Sequence, residues 1–554
     1  MPTISVNQND MFELLGHTYT MGELEALLLL VKGELKDIDP QSGELRIELK
    51  DTNRPDLWCP EGIARQIRYK TGRLEAGTQL RCREFAPEHR ILVEPPLHAI
   101  RPYIGAFLAS GVAVTEQFLT QMIQTQEKLC DGYGKKRELF AIGIYDASKL
   151  AFPVHYRAVA PESVRFAPLG SDEEMNLAEI LARHPKGIEY GAILREHALY
   201  PLLQDERGDV LSFPPIINSR TSGEVRVGDQ RLFVEVTGMD LEMTFHAVNI
   251  LAYNFQDRGF SIEPVLTAYP YDTPYGRDVI SPYPLKNEAT VSCDLFERYL
   301  GMTTTIEEVQ SGLAAYGVSS QLIGADTLTA STPSYRQDYM HAVDVVEDFA
   351  IAVGYDQFEP AMPERFTVGR LAPLTILEDG VRDALIGFGF EEVISNVLSN
   401  KAEFDGDALE ISNPMSESYS MMRNSLLPSL LKVEAKSSKS LYPHKIFEVG
   451  EVALRDETDS HGCATQSRVA AMIAHAEANF SEMGSVLTYL AYLMGWTCSL
   501  RPVKNALFIE GRCGEILIDG KSVGIIGEVH PETLTKWGIK MPVTLFELQL
   551  TAFA

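Results

Sequence analysis

The stretch PSYRQDYMHAVDVVEDFAIAVGYD, Pro333 to Asp356, decides how the rest of the chain is read. Val343, Val346, Ala350 and Val353 recur at helical spacing, so the segment from Tyr339 onward is predicted to form a helix of about four turns with Gly354 as its stop. Asp338 stands where the chain enters that helix. At about 3.6 residues per turn, Asp344, Glu347 and Asp348 share one side of it, where each pair of like charges costs a few tenths of a kcal/mol. Such a cluster calls for neutralisation, and hard oxygen ligands suit Mg²⁺, which takes one or two carboxylates directly and keeps several waters. Four acids would then divide between inner and outer shells. Spacing alone fits a second reading equally well, that of a solvated acidic face on an acidic chain.

The run P-S-Y-R-Q-D, followed by H-A-V-D-V-V-E-D and closed by G-Y-D, resembles the metal-site module of the phenylalanyl-tRNA synthetase beta subunit family. The resemblance implies that Asp338, Asp344, Glu347 and Asp348 are Mg²⁺ ligands in a site shared with an alpha subunit. All four acidic positions are occupied in this sequence.

Length and composition bound the rest. With 554 residues, 45% of them hydrophobic, the chain can bury several cores, and length alone predicts roughly three to five domains. A formal charge of −28 excludes a surface uniformly attractive to nucleic acid, so any RNA contact must be local or supplied by a partner chain. The seven cysteines include no C-x-x-C pair, which leaves neither a zinc knuckle nor a disulfide framework and predicts free thiols in a reducing compartment. The start MPTISVNQNDMF has neither a basic cluster nor the apolar core of a signal peptide, and Ala26 to Val31 is too short to span a bilayer. A soluble cytoplasmic protein without a membrane partner is the expectation.

Taken in order, residues 1–84 alternate short strands with capped helices, a helix MFELL being capped from Asn9 or Asp10. The N-R-P-D-L turn, Asn53 to Leu57, leads into a helix with Pro60 in its first turn, and an Arg54 to Asp56 ion pair that holds this turn is its plain structural reading. From 85 to 262 the texture changes. RPYIGAFLASGV, FAIGIYD, FPPIINS and VEVTGMDLE resemble the editing module of the archaeal and eukaryotic type of the same beta subunit, which removes tyrosine wrongly attached to tRNA for phenylalanine. Such a module answers a physical need: a pocket for an apolar side chain rejects an analogue with one extra hydroxyl by a factor of only ~10². The matching motifs place Ser212, Asn218, Glu235 and Thr237 as candidates for holding the phenol and the hydrolytic water, with Glu235 as acceptor for the phenol hydroxyl. Asn218 equally suits a turn, and Glu235 and Thr237 an exposed strand face. A hairpin is predicted through Val227-Gly228-Asp229, and a helix capped near Asp240.

A connector rich in proline and tyrosine, Pro264 to Pro284, is predicted to interrupt regular structure. Residues 275–356 then form a small module with two short helices and a strand before the acidic helix. Modules of this kind are sometimes likened to DNA-binding folds, but an acidic helix repels phosphates, and no DNA partner is expected. Residues 360–554 read as a last α+β domain with EEVISNVLS and KIFEVGEVAL as strands and a hairpin through Asp519-Gly520. It resembles the catalytic-like domain of the beta subunit, an antiparallel sheet in the class II synthetase style. KIFEVGEV and VGIIGEVHPE stand where class II active sites carry their ATP-gripping arginines, and without these the domain serves as a subunit interface. No phosphate-binding glycine loop is present.

The expected whole is an α+β multidomain chain: an editing module, a metal-site module with its helix pair, and a class II-like sheet domain lacking the catalytic motifs. Its expected function is that of a beta subunit of the archaeal or eukaryotic length class in an alpha2-beta2 tetramer acting on tRNA(Phe). ATP-dependent joining of phenylalanine would take place in alpha, and editing in beta. Two other readings compete. D-x-x-E-D on a helix also suits a free-standing Mg²⁺ enzyme acting on diphosphates, and the chain could instead be a scaffold subunit without editing.

Overall fold

The computed structural model describes residues 2–553 apart from 40, 51–52, 361, 364 and 404–407, and its contacts divide the chain into two units, Met1–Ala361 and Met362–Ala554. Residues Asp51 and Thr52, just ahead of the N-R-P-D-L turn, lie outside the described residues. All seven cysteines are free. Among the described residues no helix is long and apolar enough to cross a membrane.

The first unit begins with an antiparallel sheet ordered Thr3–Asn7, Glu44–Leu49, Gly33–Asp39, where Ile4, Val6, Leu45 and Ile47 alternate inward. The helix Gln8–Leu15 is capped by Asn7, not by Asn9 or Asp10: Asn7 Oδ1 accepts the Asn9 N–H at 2.9 Å. Asp10 turns inward instead and binds Arg258, with Oδ2 2.9 Å from Nη2. In the N-R-P-D-L turn, Arg54 grips Asp56 at two points, both 2.8 Å, and the pair is buried.

The largest sheet has ten strands. Its path runs Ile217–Asn218, Val210–Phe213, Tyr200–Gln204, Val154–Val159, Arg90–Val93, Ser261–Ala268, Tyr103–Ser110, Arg231–Gly238 and Phe140–Asp146, with Asp278–Ser281 branching from Ser261–Ala268. The helix Leu241–Asp257, capped by Asp240 through the Met243 N–H at 2.8 Å, packs on strands Tyr103–Ser110 and Arg231–Gly238. The predicted interruption at Pro264 does not occur. Residues Ser261 to Pro264 pair with Tyr103–Ser110, and Val265 to Ala268 pair with Asp278–Ser281, so the proline sits where the strand changes partner and a missing N–H is tolerated. Tyrosines 269, 271, 275 and 283 of the expected connector pack against the core. The hairpin through Val227 to Asp229 is likewise absent: a turn forms there, with strand only on its far side.

The acidic helix belongs to a small layer formed by strands Glu288–Ser292, Thr327–Ser331 and Ser319–Leu322 with helices Cys293–Leu300 and Ile306–Ala315. It spans Ala342–Val353, three residues later than the pattern predicted, because Asp344 Oδ2 accepts the N–H groups of both Met340 and His341 at 2.7 Å and holds the preceding chain out of the helix. Gly354, at φ 102°, ends it.

The second unit is a seven-stranded sheet, Glu391–Glu392, His444–Arg455, Cys463–Ala474, Val543–Gln549, Lys521–Val529, Phe508–Ile518, Cys498–Pro502, antiparallel except at its first pair. Helices Pro373–Gly387 and Phe480–Met494 cover one face through Val381, Leu385, Met483 and Leu487, and Leu427–Lys436 covers the other through Leu427, Leu430 and Leu431. Asp519 and Gly520, at φ 49° and 81°, make the expected tight hairpin turn. EEVISNVLS is not a continuous strand; only Glu391–Glu392 and Leu398–Ser399 pair, with different neighbours.

Candidate active site

The strand Phe140–Asp146 ends the large sheet, so its outer carbonyls need partners other than a further strand. Side-chain amides supply them. Gln126 Nε2 donates to Ile142 O at 2.6 Å and Asn218 Nδ2 to Ile144 O at 3.4 Å. Between this edge, the helix Glu116–Lys128 and the Pro214 to Asn218 segment lies a cavity of about 360 Å³, walled by Leu119, Met122, Ile142, Ile144 and Pro215. A volume of this size, apolar with a few polar groups, is characteristic of small-molecule sites, which run ~300–1,000 Å³.

All four residues read from the sequence as editing candidates, Ser212, Asn218, Glu235 and Thr237, line this one cavity. The exposed strand face allowed for Glu235 and Thr237 is not found: they are 2% and 0% exposed. Register explains the convergence. Glu235 stands opposite Gly143 across the strand pair, and Ser212 opposite Asn218 in theirs. Three further residues escaped the sequence reading. Tyr145 Oη lies 2.8 Å from Glu235 Oε1 and 2.8 Å from Ser212 Oγ, so one buried phenol ties the two side chains together. Arg101, itself buried, donates to Thr237 Oγ1 at 3.1 Å and to the Thr237 carbonyl at 2.8 Å. Gly143 leaves the space that Tyr145 and Glu235 fill. The alternation of FAIGIYD puts Gly143 and Tyr145 on one face, but nothing in the sequence says that Glu235 is opposite.

Burial pushes the Glu235 carboxyl up to about 7, against the opposing pull of the Tyr145 hydrogen bond and the Arg101 charge. Its Oε2 is buried and, among the described residues, has no hydrogen-bond partner. A buried acceptor left empty costs ~1–3 kcal/mol, which a ligand placing a donor there would recover. A Cβ at position 143 would fall 2.3 Å from Glu235 Oε1 and 2.2 Å from Tyr145 Oη. Gly143→Ala is therefore expected to break the Tyr145 to Glu235 contact and to cost ~1–3 kcal/mol of stability as the strand pair shifts, checked by urea unfolding and by ligand binding at the cavity.

The acids of the opening stretch are distributed differently from a metal centre. Arg336, buried, donates to both Asp338 oxygens, Nε to Oδ1 at 3.0 Å and Nη2 to Oδ2 at 2.6 Å, and Nη2 also reaches Asp348 Oδ2 at 2.8 Å. Tyr339 donates to Asp348 Oδ2 at 2.6 Å. Burial raises the Asp338 carboxyl, but Arg336 outweighs it and holds the group at about 2; at Asp348, which Arg336 touches at one point only, burial wins and the carboxyl is raised. Asp344 caps the helix, and Glu347, exposed, pairs with Lys32 at 2.8 Å. Among the described residues no three His, Cys, Asp or Glu side chains converge to hold a metal ion. In this chain the cation between Asp338 and Asp348 is the Arg336 guanidinium, while Asp344 and Glu347 are engaged by the helix start and by Lys32.

In the second unit the sheet face near strand His444–Arg455 carries two ion pairs. Arg423 Nη1 meets Glu448 at 2.7 Å and Arg468 Nη1 meets Glu547 at 2.9 Å, with Ser395 and Ser425 completing the acceptors' bonds. These charges are committed to one another.

Comparison with known proteins follows the same division. The phenylalanyl tRNA synthetase beta chain CLM domain matches residues 359–550, and the tRNA synthetase B5 domain matches residues 289–355. The chain is 38% identical to the phenylalanine–tRNA ligase beta subunit of Borrelia recurrentis and 39% to that of Borrelia hermsii, in each case over 562 aligned positions covering 99% of both chains. Among solved structures, an N-terminal fragment of the phenylalanyl-tRNA synthetase beta subunit from Pyrococcus horikoshii is 35% identical, with a TM-score of 0.60, and matches over 64% of this chain and 100% of that one.

Proposed function

We propose a division of labour from one premise: this chain belongs to the phenylalanine–tRNA ligase beta-subunit family. The cavity under strand Phe140–Asp146 hydrolyses tyrosine misattached to tRNA(Phe), and joining of phenylalanine takes place on an alpha subunit in an alpha2-beta2 assembly working in the cytoplasm. The observation that carries this reading is the unpartnered Glu235 Oε2 inside an apolar cavity. A phenylalanine side chain would fill the walls and leave that oxygen empty; a tyrosine side chain brings the hydroxyl it lacks, so the site favours the wrong amino acid. Water then adds to the ester carbonyl carbon, the bond to the ribose oxygen breaks, and that oxygen takes up a proton. Ser212, Asn218 and Thr237 position the water and the ester by hydrogen bonds, without an activated nucleophile.

ATP and Mg²⁺ belong in this proposal to the adenylation step on alpha. The buried Arg423–Glu448 pair and the half-buried Arg468–Glu547 pair support that assignment, since charges engaged with each other are not free to grip a triphosphate. Asp338, Asp344, Glu347 and Asp348 enter it as the acids of a Mg²⁺ site shared with alpha, where docking of alpha would supply the surroundings that complete it. The archaeal or eukaryotic type is part of this proposal: the similar solved fragment is from Pyrococcus horikoshii, whereas the full-length relatives at 38% and 39% identity are from Borrelia. The diphosphate-enzyme alternative is not carried forward, because its acids do not converge.

The test is deacylation. The chain purified with its alpha partner is expected to hydrolyse Tyr-tRNA(Phe) at least about tenfold faster than Phe-tRNA(Phe), as a hydrogen bond to a buried carboxylate would give. The chain alone is expected to form no aminoacyl-adenylate. Absence of Tyr-tRNA(Phe) hydrolysis would leave the scaffold reading standing.

A further inference from the structure

Between the candidate site and a second cavity runs a segment that neither the sequence reading nor the proposed chemistry uses. After the helix Glu116–Lys128 the chain makes one wide π turn, Leu129–Tyr133, and then places Lys135, Lys136 and Arg137 at φ 48°, 53° and 69°. Three successive non-glycine residues in the left-handed region cost ~1–2 kcal/mol each, so the surrounding structure must enforce them. It does. The N–H groups of Lys135, Lys136 and Arg137 donate to Gly132, Asp131 and Cys130 carbonyls at 3.2, 3.1 and 3.0 Å. Arg137 Nη1 donates to Pro215 O at 3.1 Å and Ile216 O at 3.0 Å, and its guanidinium lies 4.2 Å over the Tyr190 ring.

The effect of this strained turn is to hold two adjacent lysines out into solvent. Lys135 and Lys136 are exposed, and among the described residues neither they nor Lys128 enters an ion pair, in a chain of formal charge −28 whose neighbouring Lys149 and Lys186 each pair with an acid. Arg137 and Lys186 line the candidate site, while Lys128 and Lys135 line a second cavity of about 760 Å³, walled by Trp58, Tyr133, Leu139 and Met243; Glu127 borders both. Asp131 also lines the second cavity and Glu138 follows Arg137, so the cations stand among acids with Lys135, Lys136 and Arg137 as their one consecutive run. Cations between two apolar hollows are the arrangement that tracks a single nucleic-acid strand, phosphates on the cations and nucleosides in the hollows.

We propose that Lys128, Lys135 and Lys136 hold the backbone phosphates of the RNA strand whose 3′ end delivers its aminoacyl group to the candidate site, with an upstream nucleoside in the second cavity. This rests on the editing reading for what fills the first cavity. The strained turn fixes where the positive charge stands, so that an otherwise acidic chain meets its anionic substrate at one place.

The test uses the full chain with its partner, carrying Lys135→Gln and Lys136→Gln together. The affinity for a fluorescent single-stranded oligoribonucleotide ending in CCA is expected to fall about tenfold, and the slope of log affinity against log salt to become shallower by ~1.4, two phosphate contacts at ~0.7 each. The KM for Tyr-tRNA(Phe) deacylation rises by the same factor with kcat unchanged, while hydrolysis of tyrosine methyl ester, which has no phosphates, keeps its rate. Lys135→Arg with Lys136→Arg restores affinity and slope. Unchanged oligoribonucleotide affinity and salt slope would overturn the proposal, and so would an equal loss on the methyl ester, which would make the turn a wall of the pocket. Failure of the editing reading shows separately, as no hydrolysis by the unaltered protein, and the oligoribonucleotide measurement still decides the role of the lysines.

Discussion

Replacing Glu235 by alanine is expected to slow deacylation of Tyr-tRNA(Phe) by about 10- to 100-fold, with synthesis of Phe-tRNA(Phe) by the holoenzyme unchanged. The size follows from a hydrogen bond to a charged buried acceptor, worth ~1.5–3 kcal/mol, and the loss falls on the substrate that carries the hydroxyl. Discrimination between tyrosine and phenylalanine in deacylation should collapse. The same carboxyl gives a pH signature. With Glu235 raised to about 7, its ionised form, the stronger acceptor for a phenol, becomes dominant only above neutrality, so the preference for Tyr-tRNA(Phe) should rise between pH 6 and pH 8. Stability moves the opposite way. A carboxyl raised from 4.5 to about 7 binds its proton more tightly in the folded state, so its contribution is present below pH 4.5 and is lost as the pH rises to about 7. Glu235→Gln should flatten that slope and leave the fold more stable at pH 8, a stability gained where function is lost. Deacylation rates of Glu235→Ala equal to those of the unaltered protein would remove Glu235 from the site.

Arg336→Met is expected to destabilise the acidic-helix module by ~3–5 kcal/mol, because it leaves Asp338 and Asp348 in buried surroundings without their cation. Hydrogen exchange of the Ala342–Val353 helix reads this directly, since local opening becomes easier when its anchoring pair is lost. Adding Asp348→Asn to Arg336→Met should recover part of the protection, as it removes one stranded charge. At low pH the unaltered protein should show the same weakness: Asp338, held at about 2 against an ordinary 3.8, supplies stability above pH 3.8 that is lost as the pH falls toward 2. Magnesium is the informative control. If Mg²⁺ alone restored protection to Arg336→Met, the acids would have a metal-binding capacity that the guanidinium normally fills.

Much of the architecture was legible in local patterns. The helical spacing of Val343, Val346, Ala350 and Val353, the Asp519-Gly520 turn, and the Asp240 cap each act within a few residues, and all three stand where their spacing puts them to within one turn. Pro264 misled for the same reason: a proline forbids one N–H bond, and whether that bond was needed depends on which strand lies alongside. The acids of the opening stretch show the limit most clearly. Their spacing puts them on one side of a helix, yet it does not disclose Arg336, two residues before Asp338, as a counter-ion, because a loop residue's reach cannot be inferred from a helical repeat.

What the amino-acid order determined by itself is the family, the helices with strong local signals, and the four candidates Ser212, Asn218, Glu235 and Thr237, because motif and periodicity are properties of neighbours along the chain. Tertiary structure alone decided that those four face one cavity, that Tyr145 and Arg101 lock three of them, and that Arg336 pairs with both Asp338 and Asp348. Strand register brings Gly143 against Glu235 across 92 positions of sequence, as residues 143 and 235 show, and burial then raises the carboxyl; neither pairing nor desolvation has a signature in any short window of residues.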